Sequence, residues 1–199
     1  DADASNSRVA VDGNTFQSCS VQMSGSSDME TGTSGGVQYG NAYGGAVSVY
    51  YGLRAASLLQ LRNVESSFTN NLCRGSVIDA RVGVGGSVYG GCLSIYAGAW
   101  SVNASGASSV GSLSVDDMRT NVSSNRLENC GAHIFSSSAS NSYFANAYGG
   151  GISVAVGAYS YSAGGSSNVS GPTTVSNSSY AISSNTLTSC TASSLTSGS

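Results

Sequence analysis

Two short motifs alternate along the 199 residues of this chain, and this internal repetition constrains the fold more than any other feature. The first begins with Tyr-Gly-Gly and occupies residues 43–50, 89–96 and 148–155. The second has the form Asn-x-Phe/Leu-x-x-Cys and occupies residues 14–19, 125–130 and 185–190, with a looser copy at 66–71. Recurring units of this kind are typical of solenoids, in which stacked units bury one continuous core.

Read as one rung each, the motif copies predict seven rungs of about 28 residues, a length that suits the turn of a β-solenoid. The rungs lie near residues 11–19, 43–52, 64–73, 89–100, 122–130, 148–161 and 182–190. The sequence therefore predicts an all-β fold, a right-handed parallel β-helix of about seven coils. We expect residues 1–199 to form a single segment of a longer repeat chain.

The local chemistry agrees with strands separated by loops. Aliphatic residues alternate with Ser after each Tyr-Gly-Gly, the period-two pattern of a strand with one buried face. Residues 52–62 are the one stretch that resembles a helix, but their place in the repeat predicts a strand. Loops are predicted for the Ser/Gly-rich stretches at residues 20–36, 101–113, 136–142 and 162–179.

Stacked coils place like positions in ladders, so the motif residues have predicted structural roles. An inward apolar ladder is expected from Phe16, Phe68, Leu127 and Leu187. The motif then ends on Cys19, Cys130 and Cys190, with Asn71 in that place in the looser copy. The paired glycines allow either a corner with positive φ or close packing between coils. These coil glycines are Gly44, Gly45, Gly90, Gly91, Gly149 and Gly150.

Five cysteines leave at least one thiol unpaired within the chain. If rungs of one type are separated by a rung of the other, Cys19, Cys130 and Cys190 lie about 9.6 Å apart, too far for disulfides. Cys92 belongs to the other type of rung, so a bridge to Cys73 or to Cys130 is possible. Buried free thiols are the alternative.

The charge content excludes several classes of function. Only 9% of residues are charged, none is Lys, and the seven Arg are scattered in a chain of net charge −3, which disfavours nucleic-acid binding. The apolar runs are shorter than the roughly 18 residues of a membrane helix, so no membrane span is expected. The spacing of the cysteines and the single His predicts no metal site, and no cofactor motif occurs.

Gly44-Gly-Ala-Val47 and Phe68-Thr-Asn-Asn71 resemble the GGA[ILV] and FxxN repeats of the chlamydial polymorphic membrane proteins. Similar repeats occur in large protist or algal surface proteins. The resemblance covers most of residues 9–192 and implies a right-handed β-helix, exposure at the cell surface, and a role in adhesion or coat formation.

Many β-helix proteins act on polysaccharides, so candidate catalytic residues need a test. Asp116 and Asp117 with Arg119 superficially resemble the acidic pair of polygalacturonases, but the partner motifs of those enzymes are missing and no Lys base exists. A solvated acidic pair is the simpler interpretation. His133 close to Cys130 suggests a nucleophilic pair only weakly. Asp12-Gly-Asn14 is interpreted as a turn rather than a calcium site.

Function is therefore expected to be structural or adhesive, outside the cell or at its surface, and not enzymatic. The expected partners are copies of the chain or adjacent repeats joined end to end in a filament or coat, with glycans and other surface proteins as further partners. The alternative is a carbohydrate-active or carbohydrate-binding protein. Stacking platforms for sugars would then be Tyr96, Trp100, Tyr159 and Tyr161. Possible N-glycosylation sites are Asn103, Asn121, Asn168 and Asn177, of which Asn103, Asn168 and Asn177 fall in predicted loops.

Overall fold

The chain folds as a parallel β-helix. The computed structural model describes residues 2–24, 39–54, 58–82, 85–103, 108–136, 145–162 and 167–196. Within these residues all the paired strands are parallel, and no helix forms. The predicted fold class is confirmed.

The described strands form three turns of the coil and part of a fourth, and coil one has no described strand in the last sheet. Coil one contains β1 (Ala2–Ser5), β2 (Arg8–Asp12), β3 (Thr15–Gln17), β4 (Ser20–Ser24), β5 (Tyr39–Tyr43) and β6 (Val47–Arg54). Coil two contains β7 (Leu58–Thr69), β8 (Leu72–Arg74), β9 (Val77–Val82), β10 (Gly85–Tyr89), β11 (Leu93–Asn103) and β12 (Ser108–Val110). Coil three contains β13 (Ser112–Ser123), β14 (Arg126–Glu128), β15 (Gly131–Ser136), β16 (Ala145–Tyr148), β17 (Ile152–Ser162) and β18 (Ser167–Val169). Coil four contains β19 (Thr173–Ser176), β20 (Ser179–Ser183), β21 (Thr186–Thr188) and β22 (Thr191–Thr196).

Like strands of successive coils stack into six sheets, numbered here in the order in which a coil crosses them. The first sheet has the most strands, six. The strands β7 and β13 lie at its centre, with β1 and β2 on one side and β19 and β20 on the other. The second contains β3, β8, β14 and β21, and the third contains β4, β9, β15 and β22. The fourth, fifth and sixth sheets contain β5, β10 and β16, then β6, β11 and β17, then β12 and β18.

The prediction of about seven coils is wrong, because the described strands belong to four coils. Equivalent residues of successive coils are separated by 57, 54 and 60 positions, about twice the rung length inferred from the motifs. Each complete coil carries both motifs, because the Asn motif forms the second sheet and the Tyr-Gly-Gly motif forms the corner between the fourth and fifth sheets. Two motifs on opposite sides of one turn had been interpreted as two turns.

The bends of the coil are made by columns of residues with positive φ, between 49° and 67°. Gly, Asn, Asp and Ser fill these columns; Gly, Asn and Asp adopt this backbone region at the least cost. One column lies within the first sheet, two flank the second sheet, and one precedes the fifth. Their members are Asn6, Asn63, Asp117 and Asn177; Gly13, Asn70, Ser124 and Ser184; Ser18, Gly75, Asn129 and Ser189; and Gly44, Gly90 and Gly149.

The two glycines of each Tyr-Gly-Gly corner have different roles, so both predicted uses occur together. Gly44, Gly90 and Gly149 have positive φ, and a Cβ there would collide with the carbonyl oxygen three residues ahead. At Gly45 and Gly91 a Cβ would instead collide with the backbone of the equivalent glycine in the next coil. The first glycine therefore makes the turn, and the second lets the coils stack closely.

The interior is filled by residues at alternate positions of the strands. In coils two and three, Leu61, Phe68, Val115 and Val122 of the first sheet face Ile95 and other residues of the fifth in one buried cluster. Cys73 and Cys92 form a disulfide across this core. A smaller cluster lies between the third and fourth sheets, around Ile78, Val88 and Ile134.

Three stretches predicted as loops contain strands, and the first of them, residues 20–36, begins with the whole of β4. Residues 101–113 and 162–179 include β12, β18 and β19 and parts of their neighbours, which hydrogen-bond between coils despite their Ser-rich composition. The described residues of the 52–62 stretch are strand, as predicted. The connections from the third to the fourth sheet differ in length between coils and occupy residues 25–38, 83–84 and 137–144.

Candidate association surface

A ladder of four asparagines runs along the start of the second sheet: Asn14, Asn71, Asn125 and Asn185. The backbone N–H of each of the first three donates to the side-chain Oδ1 of the next, at 2.9–3.0 Å. Each of the last three also donates through Nδ2 to a backbone carbonyl of the preceding coil, at 2.8–3.0 Å. Asn71 and Asn125 are buried, so the ladder satisfies interior polar groups while it joins the coils.

The motif pattern did not predict this ladder, because the looser copy at 66–71 puts Asn71 at the last position of the motif instead of the first. The register places Asn71 with Asn14, and Cys73 with Phe16 and Leu127. Phe68 therefore does not belong to the Phe16 ladder, since it pairs with Val11 and Val122 in the first sheet. The Phe16 and Phe68 rings still stack across the core, with centroids 6.2 Å apart.

The two ends of the asparagine ladder are complementary. Among the described residues, nothing accepts a hydrogen bond from the backbone N–H of Asn185, and nothing donates to Oδ1 of Asn14. These are the donor and the acceptor that join neighbouring coils elsewhere in the ladder. One end of the described ladder thus presents a free donor, and the other end presents a free acceptor.

Coil four presents inward-facing apolar residues that no further described coil covers. Ile182 is 54% exposed and Leu187 is 50% exposed, whereas Val122 and Leu127 at the same positions of coil three are fully buried. Val175 and Tyr180 extend the surface along the first sheet. We call Val175, Tyr180, Ile182 and Leu187 the open face.

The cysteines lie differently from the expectation. The motif-final column reads Cys19, Ser76, Cys130 and Cys190, so Ser76 and not Asn71 takes the place of the missing Cys. Cys130 and Cys190 belong to neighbouring coils, and the expected separation of about 9.6 Å between them is wrong. All three of these cysteines are free thiols. Burial, and secondarily the neighbouring Cys190, raises the pKa of Cys130 to about 12.

The acidic residues considered for catalysis, Asp116 and Asp117, and for calcium binding, Asp12, each have structural partners. Asp116 accepts hydrogen bonds from Asn177 and Ser176 of coil four at 2.9 and 2.8 Å, and these bonds lower its pKa, Asn177 having the larger effect. Asp117 has positive φ and pairs with Arg119 at 2.9 Å. Asp12 occupies a similar turn, where Thr69 and Asn70 of coil two lower its pKa.

His133 and Cys130 do not form the nucleophilic pair considered from the sequence, because each side chain has other partners. The imidazole Nδ1 lies 2.7 Å from Oγ of Ser193, while the buried Cys130 thiol contacts backbone carbonyls of Cys73 and Glu128.

Aromatic side chains stack along the Tyr-Gly-Gly corner. Tyr43, Tyr89 and Tyr148 form a column with ring centroids 4.9 and 5.0 Å apart, and Tyr50 stacks on Tyr96 at 5.4 Å. Tyr96 is only 9% exposed, so the expectation of an exposed platform there was wrong. The side chains of Trp100, Tyr159 and Tyr161 lie outside the described part of the chain.

The predicted glycosylation sites are mostly on strands rather than loops. Asn121 and Asn168 are exposed on β13 and β18, and Asn103 is the last residue of β11. Asn177 lies in the bend between β19 and β20, where its side chain donates to Asp116. A glycan on Asn177 would be attached to the same amide nitrogen that donates to Asp116.

Comparison with protein-family models, curated proteins and solved structures found no match. The resemblance to chlamydial polymorphic membrane proteins therefore stays a prediction. Over the described residues, no helix is long and apolar enough to cross a membrane, and no three His, Cys, Asp or Glu side chains form a metal-binding group.

Proposed function

We propose that this chain is a structural building block, outside the cell or at its surface, whose open face is covered by a coil equivalent to coil one, from a second copy or from an adjacent repeat. The observation that carries the proposal is the contrast between Leu187, half exposed, and Leu127, fully buried at the same position one coil below. Burial of a Leu or Ile side chain contributes about 1.5–3 kcal/mol, so a further coil over this face gains substantial stability.

Coil one has the features that complement the open face. Continuation of the columns places Val11 of the second copy over Ile182, and Phe16 over Leu187. Both Val11 and Phe16 are only partly buried in the single chain. The same superposition brings Oδ1 of Asn14 to the free N–H of Asn185 and repeats the hydrogen bond between coils.

Such a contact joins different surfaces of the two copies and does not close on itself. Repetition of it produces an open filament, which is the outcome expected for head-to-tail association. The Cys73–Cys92 disulfide supports placement in an oxidising compartment outside the cytosol.

The test is sedimentation velocity over a range of concentrations on two variants of adjacent residues. Leu187→Arg puts a charge on the open face, whereas Thr188→Arg adds the same charge to the exposed opposite side of β21. We expect the wild type and Thr188→Arg to associate as concentration rises, and Leu187→Arg to stay monomeric. A wild-type chain that sediments as a monomer at every concentration would refute the proposal.

A further inference from the structure

A cleft of about 310 Å³ lies on the outer face of the third sheet, away from the open face of the first and second sheets. It crosses three coils, since its lining comes from β9, β15 and β22. The volume is at the lower end of the range of about 300–1,000 Å³ that is usual for small-ligand sites. Its outward-facing side chains are Asp79, Arg81, His133, Phe135, Ser193 and Leu195, and Ile134 also lines it.

The strand register arranges these six side chains in two columns. Asp79, His133 and Ser193 occupy one position of the three strands, and Arg81, Phe135 and Leu195 occupy the position two residues further on. The residues between them, such as Ala80 and Ile134, point into the core, so the two columns share the outer face. A polar column thus lies beside a column that is mainly apolar.

The imidazole in the polar column is held in place. His133 Nδ1 and Ser193 Oγ lie 2.7 Å apart, within hydrogen-bonding distance. The ring extends over Gly131, where a Cβ would collide with Nε2 and Cδ2. Glycine at position 131 therefore lets the ring lie along the strand.

The order Asp, His, Ser along this column is that of a hydrolytic triad, but the connections of a triad are not made. No hydrogen bond or ion pair joins Asp79 to His133 within the described structure, so the imidazole is not oriented as a base by the carboxylate. The arrangement fits binding better than acyl transfer.

The charges and the apolar surface define the ligand. Asp79 and Arg81 are exposed, and neither side chain has an ion pair or a hydrogen bond with the described residues. A carboxylate needs a donor and a guanidinium needs an acceptor, so a ligand with hydroxyl groups satisfies both. An anionic ligand would be repelled by the carboxylate of Asp79, and a cationic ligand would be repelled by the guanidinium of Arg81. Phe135 is 39% exposed and Leu195 is 63% exposed, and together they offer a surface for an apolar face.

We propose that this cleft binds a small neutral carbohydrate, one or two sugar rings in size. The C–H face of a pyranose packs on Phe135 and Leu195, while its hydroxyls donate to Asp79 and accept from Arg81. His133, held by Ser193, contributes a further polar contact. The side chains of the cleft lie on the outer face of the third sheet and do not include the four residues of the open face.

Isothermal titration calorimetry with methyl glycosides of glucose, galactose, mannose and N-acetylglucosamine, and with cellobiose, tests the proposal. We expect binding of at least one of these neutral sugars. Phe135→Ala should weaken it by about tenfold or more, as loss of an aromatic anchor does at other sites. Binding of none of them by the wild type would overturn the proposal.

Matched variants locate the site. Arg81→Gln should weaken binding, whereas Arg126→Gln, which removes the same charge from the second sheet, should leave it unchanged. Gly131→Ala removes no ligand contact but displaces the imidazole, and should also weaken binding. Equal affinities for wild type, Arg81→Gln and Phe135→Ala, with thermal melts showing that all are folded, would overturn the assignment. So would binding of glucuronate in preference to every neutral sugar.

Discussion

Coils three and four have nearly the same sequence pattern, but they differ in what covers them. Leu127 and Leu187 follow equivalent asparagines and pair with each other in the second sheet. Leu127 lies between two coils and is fully buried, while Leu187 has a described coil on one side only and is half exposed. The repeat sequence specifies the path of a coil, and the neighbouring coils supply most of its burial.

The same contrast appears in the polar groups. Asn125 is bonded to coil two through Nδ2 and to coil four through its backbone N–H. Asn185 makes only the bond to the preceding coil through Nδ2 and accepts the two bonds from Asn125. An inner coil is therefore joined on both sides. The contribution of a residue to the free energy of unfolding should depend more on the coil in which it lies than on which amino acid it is.

The largest expected difference is between Leu127→Ala and Leu187→Ala. Loss of the buried Leu127 side chain leaves a cavity and should lower the free energy of unfolding by about 2–5 kcal/mol. Loss of Leu187 in a monomeric sample should lower it by about 1 kcal/mol or less, because half of that side chain already contacts solvent. Urea denaturation of both variants measures the difference. Equal losses would show that burial by neighbouring coils does not control stability.

The disulfide provides a second comparison, between coils two and three. Cys73 and Cys92 take the places that Leu127 and Gly151 hold one coil later. Closure of the loop between them should stabilise the fold by about 3 kcal/mol, so Cys73→Ala with Cys92→Ala should lose at least that amount.

The matched control for this variant copies coil three. Cys73→Leu with Cys92→Gly also removes the covalent bond but refills the interior, so it should be more stable than the double Ala variant. Denaturation under non-reducing conditions gives both values. If the variant with Leu and Gly were less stable than the double Ala variant, the interiors of coils two and three would not have equivalent volumes at this position.

A smaller difference is expected within the asparagine ladder. Asn125→Ala removes bonds to two coils and leaves the buried backbone N–H of Asn71 without its acceptor, which should cost about 2–3 kcal/mol. Asn185→Ala also removes the acceptor of the Asn125 backbone N–H, but this bond is only part-buried, so the loss should be about 1 kcal/mol. Chemical denaturation ranks the two, and Asn14→Ala at the opposite end is the control, with the smallest loss.

Thiol reactivity compares coils three and four without changing the fold. A thiol with its pKa raised stays protonated until the pH approaches that pKa, and for Cys130 the value is about 12. Since only the thiolate reacts, Cys130 should resist iodoacetamide at pH 8 in the folded protein. The partly exposed Cys190 should be alkylated. Mass spectrometry after brief labelling separates them, and prompt alkylation of Cys130 would contradict its burial.

The fold class was predictable because its signals are local. Alternation of aliphatic residues with Ser, and glycine pairs at fixed positions, need only a few residues to be recognised. The number of coils was not predictable in this way, since two motifs in one turn and one motif in each of two turns give the same alternation. The copy at 66–71 hid the true spacing, because Phe68 matched the aromatic position of the motif by chance.

The asparagine ladder did leave a signal in the sequence. Aligning the motif on its first residue, Asn, gives Asn14, Asn71, Asn125 and Asn185 at nearly regular spacing. The cleft left no such signal. Asp79, His133 and Ser193 come from three different coils, and only the register between strands places them together.

The connections between the third and fourth sheets vary in length while the ladders on either side keep their register. The third-sheet strands β4, β9 and β15 end within one residue of the same register position, so their ends lie in a row parallel to the axis of the β-helix. The end of β9 at Val82 is thus a natural place to graft a foreign peptide. In an end-to-end assembly, grafts at this point would be displayed at regular intervals along one edge.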